Sequence, residues 1–345
     1  ATGNWYLNNK SEAIGVGTGG IIGMNESEKD LSFLLNRAFV GRQLLKADTN
    51  RFAGGIIGNQ NNTTGSGWTI GNCINYGTVY CKNTHYSGGI VGQWTGRGGS
   101  IEKCVNYGNM QTTLTVGWLG ASGGIVAQLY HAYENNEYNI TGCANYGNIF
   151  GQTGRSTGNC ANDSAGILGN VTAYKVDDER NSQRFTINVV DCVNGAGVEV
   201  YSQSMASGIV GYLSVDDSEA GGGDAAAKIA VSTSNIVLRI ERCRNYASVM
   251  QGNNFVAGIF GDRYGETGSR NTTLKYCFSV NPGGGYNKSP FPIVSYQNAV
   301  YQKYVSEINR GQSGVCNYFL SGNSGINSFV ESGCSLGNTT TSGTS

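Results

Sequence analysis

The fold is decided by a two-part stretch that reads Gly89-Ile90-Val91-Gly92 and then Cys104-Val105-Asn106-Tyr107-Gly108. The first part, Gly-Ile followed by an apolar residue, recurs with its isoleucine at Ile21, Ile56, Ile90, Ile125, Ile167, Ile209 and Ile259. The second part, Cys-x-Asn, recurs from Cys73, Cys104, Cys143, Cys192 and Cys243 and fades at Cys277. The two parts alternate strictly from Ile56 to Cys277, so the chain is built from internal repeats.

The spacing of the repeats predicts stacked short strands. Successive isoleucines lie 35, 34, 35, 42, 42 and 50 residues apart, which is a base period near 35 with insertions. Each part is too short for a helix, is rich in β-branched residues and is bounded by Gly and Asn, as strands are. One repeat cannot bury its apolar wall alone, so repeats must stack, about 4.8 Å apart. We predict an all-β parallel β-helix, a solenoid of about seven coils, rather than a β-propeller, whose blades need a fourth strand.

The glycine and proline counts agree with a chain that turns often and keeps its backbone donors. The 345 residues include 54 Gly but only 3 Pro, which are Pro282, Pro290 and Pro292. Because 1–281 contains no proline, its N–H groups stay available for a continuous ladder, whereas collagen needs abundant proline. We predict a repeat domain at 1–281 and a C-terminal capping segment at 282–345, with one helix and a polar tail.

Charge and composition exclude several classes of protein. Lys plus Arg and Asp plus Glu number 23 each, so there is no basic field for nucleic acid. Zero net charge together with 39% apolar residues excludes a highly charged disordered chain. No run approaches the ~20 apolar residues of a transmembrane helix, so no transmembrane segment is predicted. With 2 His and no pair of Cys separated by two residues among the 10 Cys, zinc is not favoured.

The Cys-x-Asn part predicts two interior rows, because residues two apart on a strand share one face. The row of thiols consists of Cys73, Cys104, Cys143, Cys192 and Cys243. The hydrogen-bonded amide ladder consists of Asn75, Asn106, Asn145, Asn194 and Asn245. We interpret these thiols as small buried apolar groups rather than disulfides or metal ligands. Outside the repeat, Cys316 with Cys334 is the best candidate disulfide, and the pairing of Cys81 and Cys160 stays open.

The alternation of Gly-Gly-Ile-Val-Gly with Cys-x-Asn-x-Gly resembles the GLUG-type repeats of bacterial cell-surface and secreted proteins. The resemblance covers about residues 19–280, three quarters of the chain. It implies a right-handed parallel β-helix and an extracellular location, secreted or on the cell surface. It does not specify an activity, since adhesins, protease exodomains and proteins of unknown role carry such repeats. No catalytic motif of that family maps onto this sequence, so the resemblance assigns no functional residue.

Two short helices are predicted beside the repeats. The first is expected near 27–37, where cap residues and acids precede apolar positions at Leu31, Leu34 and Leu35. The second is expected at 297–309, with Gly311 as its end. Both would cover open strand edges, with binding of a partner as the alternative.

The longest insertions fall at 170–191 and 212–242 and open at the same corner of the repeat. They carry the acids Asp177, Asp178, Glu179, Asp216 and Asp217. Three interpretations stay open: a solvated loop surface, a calcium site held by carboxylates, or a carbohydrate site with paired carboxylates as acid and base. Calcium is the only cofactor that this sequence suggests.

Two sets of aromatic residues are candidates for ligand contact. One set follows the Gly-Ile part on the side of the acidic insertions and consists of Trp94, Tyr130, Tyr174, Tyr212 and Tyr264. These side chains suit a glycan groove or a protein contact. The other set, Tyr76, Tyr107, Tyr146 and Tyr246, directly follows the ladder asparagines. We expect this set to form a stack that stiffens a corner, with a sugar platform as the alternative.

The leading hypothesis is a secreted or surface-displayed module with an adhesive or structural role, including self-assembly. Its partners would be a glycan, a host or cell-surface protein, or copies of itself. The alternative is a carbohydrate-active enzyme, a polysaccharide lyase or glycoside hydrolase, with Asp177, Asp178, Asp216 and Asp217 as its acids. A non-enzymatic role is favoured because neither His has a Ser or Cys partner that suggests a triad, and no phosphate-binding loop occurs.

Overall fold

The computed structural model describes residues 17–27, 29–41, 52–62, 67–82, 86–113, 120–132, 136–151, 163–174, 185–202, 205–216, 236–252, 255–261, 272–281, 294–295, 317–321 and 328–332. Within these ranges the regular secondary structure consists of 36 β-strands. We number the repeats 1 to 7 by the Gly-Ile part that each one contains.

The strands of the first four repeats are short. Repeat 1 contains β1 (Gly17–Gly19), β2 (Ile22–Asn25), β3 (Leu31–Ser32) and β4 (Leu35–Asn36). Repeat 2 contains β5 (Phe52–Gly54), β6 (Ile57–Asn62), β7 (Thr69–Gly71), β8 (Ile74–Asn75) and β9 (Val79–Lys82). Repeat 3 contains β10 (Tyr86–Gly88), β11 (Val91–Gly96), β12 (Gly99–Glu102), β13 (Val105–Asn106) and β14 (Met110–Thr113). Repeat 4 contains β15 (Ala121–Gly123), β16 (Val126–Ala132), β17 (Glu137–Thr141), β18 (Ala144–Asn145) and β19 (Ile149–Gly151).

The later repeats keep the same order of strands. Repeat 5 contains β20 (Asp163–Ala165), β21 (Leu168–Tyr174), β22 (Phe185–Val190), β23 (Val193–Asn194) and β24 (Glu199–Ser202). Repeat 6 contains β25 (Met205–Ser207), β26 (Val210–Asp216), β27 (Ile236–Glu241), β28 (Arg244–Asn245) and β29 (Val249–Gly252). Repeat 7 contains β30 (Phe255–Ala257), β31 (Phe260–Gly261), β32 (Thr272–Lys275) and β33 (Phe278–Asn281). Three strands follow: β34 (Val294–Ser295), β35 (Asn317–Ser321) and β36 (Ser328–Ser332).

Five sheets of mainly parallel strands result. Repeats 2 to 6 each add one strand to every sheet, and repeats 1 and 7 add one to every sheet except sheet five. Sheet one runs β1-β5-β10-β15-β20-β25-β30, and sheet two runs β2-β6-β11-β16-β21-β26-β31-β34. Sheet three runs β3-β7-β12-β17-β22-β27-β32, and sheet four runs β4-β8-β13-β18-β23-β28-β33-β35-β36. Sheet five runs β9-β14-β19-β24-β29. The prediction of an all-β chain with stacked parallel strands is therefore confirmed.

Equivalent motif residues stand beside one another, since neighbouring repeats pair in register. In sheet four, for example, Asn75 pairs with Asn106, and Asn106 with Asn145. The interior that this register creates is filled by the motif isoleucines and cysteines, which are fully buried from Ile56 to Cys277. A second apolar core lies between sheets one and five and contains Val79, Met110, Ile149, Val200 and Met250.

The glycine before each motif isoleucine makes room for the ladder asparagine of the same repeat. A Cβ added to Gly89 would overlap the Gly124 carbonyl oxygen and the Asn106 side chain. Gly124 stands in the same relation to Asn145. The two parts of the motif therefore depend on each other sterically, which is the physical reason for their strict alternation.

The predicted helix near 27–37 is wrong, because β3 and β4 form there instead. Leu31 pairs with Ile70 and Leu35 with Ile74, so the segment joins sheets three and four. Pairing with repeat 2 overrides the helical spacing of the apolar residues. The helix predicted at 297–309 lies outside the described residues. Two strands from beyond residue 281, β34 and β35, extend sheets two and four, and β36 pairs with β35 in antiparallel orientation.

Candidate functional site

The acidic insertions are described only where they leave and rejoin the sheets. The predicted acids Asp177, Asp178, Glu179 and Asp217 lie outside the described residues, as does Tyr264. Their predicted calcium or acid-base roles therefore stay predictions. In the part of the chain that is described, no group of three or more His, Cys, Asp or Glu residues could hold a metal ion.

The bases of the two insertions are adjacent. β21 ends at Tyr174 and β26 ends at Asp216, and these two residues pair in register. Where the strands resume, Phe185 pairs with Ile236. Both insertions therefore leave and re-enter the sheets on neighbouring strands, and Asp216 and Tyr174 are brought together there.

Two of the predicted ligand-binding aromatics are buried and do not present their rings to solvent. Trp94 is fully buried and packs against Trp68 and Tyr138, with ring centroids 5.0 and 5.3 Å away. A Cβ on Gly99 would overlap the Trp68 ring, so the missing side chain at this position makes space for the aromatic cluster. Tyr212 is buried beside Met205, outside this cluster. Of this set, Tyr130 is half-buried.

The tyrosines that follow the ladder asparagines form an exposed stack on the outer side of sheet four. Tyr76 and Tyr107 have ring centroids 5.0 Å apart and planes at 7°. Tyr107 and Tyr146 are 5.2 Å apart at 15°. The Arg37 guanidinium lies 5.7 Å from the Tyr76 centroid and covers that end of the stack. We call Tyr76, Tyr107 and Tyr146 the tyrosine column; each is 46–47% exposed. Their ring edges face solvent, because their faces are stacked on one another.

The asparagines hold this corner from the inside. Asn75 Nδ2 donates to Asn106 Oδ1 at 2.8 Å, and Asn106 Nδ2 donates to Asn145 Oδ1 at 2.8 Å. The same bond joins Asn36 to Asn75, Asn145 to Asn194 and Asn194 to Asn245. Within its own repeat, Asn106 also donates to the Gly108 carbonyl and accepts from the Gly108 N–H. All of these amides are buried. The bonds between repeats fix the register, and the bonds of Asn75, Asn106 and Asn145 to their own bends fix the turn that aims the tyrosine outward.

The cysteines form the neighbouring interior row and are thiols. Each described Cys is free and buried, including Cys81. The Cys104 S–H lies 3.5 Å from the Ile70 carbonyl oxygen and 3.4 Å from that of Glu102, and the other row members repeat this pattern. Burial raises the pKa of the row members Cys143, Cys192, Cys243 and Cys277 well above the ordinary value. Thiols in this state are poor nucleophiles. Cys160, Cys316 and Cys334 lie outside the described residues.

Sequence reasoning missed a row of exposed residues with left-handed backbone directly before the cysteine position. It consists of Phe33, Asn72, Lys103, Asp191, Arg242 and Tyr276, with φ between 51° and 57°, and of Gly142 with φ 63°. Because the residue type at this position varies, the sequence does not indicate that the backbone is left-handed there. The row carries one bidentate ion pair, in which Arg242 donates to Asp191 at 2.8 and 2.9 Å. These hydrogen bonds lower the pKa of the Asp191 carboxyl.

Comparison of the chain with protein-family models, with curated proteins and with solved structures finds no match in any of the three. The described residues include no helix long and apolar enough to cross a membrane. What the site does must therefore be argued from its geometry.

Proposed function

We propose that the chain is a right-handed parallel β-helix of the GLUG type that acts as a secreted or cell-surface module for adhesion or structural support. The observation that carries the proposal is the tyrosine column on the outer side of sheet four. Its rings are half-exposed, yet stacking and the buried amide ladder already fix their positions. A partner that docks there orders few side chains on binding, which favours affinity. Tyrosine is also enriched at protein interfaces.

A binding assay on cells and on glycan surfaces tests the adhesive role. The purified chain should be retained, and Tyr107→Ala should reduce retention because it interrupts the column at its centre. Thr141→Ala on sheet three is the matched control, since it lies off the column and should change nothing. Equal retention of wild type and Tyr107→Ala would argue against the column as the contact surface. Equal loss in both variants would point to a general loss of folding.

A self-assembling role has its own test. Sheet edges at the two ends of a stack of repeats can pair with further copies. Filaments that lengthen with protein concentration in negative-stain images are the expected result. Images that show only single particles at high concentration would remove self-assembly from the proposal.

A carbohydrate-active enzyme is the second candidate, because both acidic insertions begin and end on paired strands. In this proposal, acids of the two insertions, such as Asp177 and Asp216, act together as the catalytic pair. Cleavage of a panel of polysaccharides that is lost in Asp177→Asn and Asp216→Asn would support it. No cleavage by the unmutated chain would reject it. A melting temperature unchanged by a chelator would reject calcium as a structural ligand.

A further inference from the structure

The tyrosine column stops at repeat 5, where Gly195 takes the tyrosine position. The bend is also longer there. Ile149 pairs with Val200, yet Asn145 precedes Ile149 by four residues and Asn194 precedes Val200 by six. The next aromatic at this position is Tyr246 in repeat 6. Two repeats separate Tyr146 from Tyr246, about 10 Å at the spacing of strands.

The break leaves one face of the Tyr246 ring without an aromatic neighbour. On the side of repeat 7, Phe278 packs against Tyr246 with centroids 5.5 Å apart at 47°. On the side of repeat 5, no ring contact joins Tyr246 to Tyr146 among the described residues. The edge of Tyr146 lies over the Cα of Gly195, where any Cβ would overlap it. Tyr246 is 36% exposed. Ring stacking is therefore interrupted between Tyr146 and Tyr246 at the Gly195 bend, and we call this interruption the gap.

An exposed arginine lies close to Tyr246 in the chain. Arg244 precedes Tyr246 by two residues and is exposed on the outer side of sheet four. Its register partners are Val193 and Phe278, and the preceding repeats carry apolar residues at this position. Arg242 forms an ion pair with Asp191, whereas Arg244 interacts with the Asp191 carboxylate through its charge and forms no hydrogen bond or ion pair within 4 Å with the described residues. Among the described tyrosines that follow a ladder asparagine, Tyr246 alone has a cation two residues before it.

We infer that Tyr246, Arg244 and the Gly195 bend form a binding site for an anionic pyranose, such as a uronic acid residue of an acidic polysaccharide. The apolar face of a pyranose would pack on the open ring of Tyr246. Its carboxylate would accept paired hydrogen bonds from the Arg244 guanidinium. The tyrosine column itself offers no such site, because its ring faces are covered by one another. This inference rests on the proposed role of the chain as a surface module and names one ligand class for it.

The test is a titration of the whole chain with a galacturonic acid trimer, with maltotriose as the neutral control. Binding is followed by calorimetry and by tyrosine ring resonances. The acidic trimer should bind about tenfold more tightly than maltotriose, which is the value of one charge-assisted hydrogen bond. Added salt should weaken its binding.

Two variants replace a residue by the one at the equivalent position of a neighbouring repeat, so that the new residue is one that this sheet already contains. Arg244→Val installs the residue of repeat 5 and should abolish the preference for the acidic trimer. Tyr246→Val installs the residue of repeat 7 and should abolish binding of both trimers. Thr141→Ala on sheet three, outside the column and away from Tyr246, is the control and should bind as wild type does. An unchanged melting temperature of Arg244→Val shows that a loss is not due to unfolding.

Several outcomes would overturn the inference. They are no binding of the acidic trimer, equal binding of both trimers, an effect of Thr141→Ala equal to that of Tyr246→Val, or tighter binding of phenylacetate, which would mark a site for aromatic acids. Retention on cells separates this inference from the proposed function. A chain that fails to bind the trimer but still requires Tyr107 for retention loses only this site. A chain that binds the trimer but is not retained on cells or glycans loses the adhesive role.

Discussion

The corner of repeats 2 to 4 and the corner of repeat 5 use the same ladder but differ in the bend that follows it. In repeat 3, Asn106 makes inter-repeat bonds in both directions and two bonds to Gly108. In repeat 5, Asn194 keeps the bonds to Asn145 and Asn245 but makes none to the residues of its own bend. Register is thus maintained by the ladder alone, whereas the regular bend needs the local bonds. The stack tolerates a changed bend at the surface as long as the buried amides stay aligned.

The largest expected effect comes from deleting a ladder amide in the regular corner. Asn106→Ala removes four hydrogen bonds and leaves buried partners on Asn75 and Asn145 unsatisfied. We expect a loss of about 4 kcal/mol in the free energy of unfolding. Asn194→Ala removes two and should cost about 2 kcal/mol. Urea denaturation of both variants checks the comparison, and equal losses would contradict a separate role for the local bonds.

Adding a methyl group to a glycine should reduce stability more in the regular corner than in the corner of repeat 5. In Gly89→Ala the new Cβ meets the Gly124 backbone oxygen, which cannot move without the next repeat, so we expect a loss of about 3 kcal/mol. In Gly195→Ala it meets the Tyr146 ring, which can turn outward, so the loss should stay below about 1 kcal/mol. Gly71→Ala is the control, since its nearest neighbour would be a side-chain carbon at 3.7 Å. Thermal melts measure all three, and a greater loss for Gly195→Ala would reverse the comparison.

The buried thiols of the two corners should make the same contribution to the pH dependence of stability. Burial raises the pKa of Cys143 in repeat 4 and of Cys192 in repeat 5, while an unfolded thiol ionises near pH 8.5. Each thiol therefore contributes its full stabilisation below about pH 8.5. Above that pH the unfolded thiol ionises while the buried one does not, so the free energy of unfolding falls by up to about 1.4 kcal/mol per pH unit for each thiol. Cys143→Ala and Cys192→Ala should each reduce this slope equally. Urea denaturation under reducing conditions from pH 8 to 10 measures it, and a flat profile in the wild type would contradict the argument.

The two corners should also differ in how much their tyrosine rings contribute to stability. Tyr107→Ala loses two stacked partners and should cost about 2 kcal/mol, whereas Tyr246→Ala loses only the tilted contact with Phe278 and should cost about 1 kcal/mol. Thermal denaturation compares the two variants. A larger loss for Tyr246→Ala would mean that the ring beside the gap has contacts beyond Phe278.

Much of the fold could be predicted because the motif is local and its residues have fixed steric roles. Gly-Ile and Cys-x-Asn locate sheets two and four, and the two-residue spacing places Cys and Asn on one interior face. The second part of the first repeat escaped detection because Leu34-Leu35-Asn36 occupies the place of Cys-x-Asn without its cysteine, and its apolar spacing also fits a helix.

The surface of the site was harder to predict. The inward position of Trp94 depends on space left by Gly99 and on a register shift after Thr95, both of which arise between repeats. The left-handed row before the cysteines leaves no signature either, since Phe33, Lys103 and Asp191 share only their backbone angle. The gap at repeat 5 depends on the absence of a ring, which a search for recurring residues does not reveal.

The amide ladder gives the stack an electrical direction. Every described ladder bond runs the same way, with Nδ2 of one repeat donating to Oδ1 of the next, from Asn36 through Asn245 to the Ser279 hydroxyl. The side-chain dipoles therefore add along the axis instead of cancelling. The two ends of the ladder therefore differ: Asn36 Oδ1 can accept from an amide donor, whereas β35 pairs beside Ser279 at the other end and takes the place of a further ladder repeat.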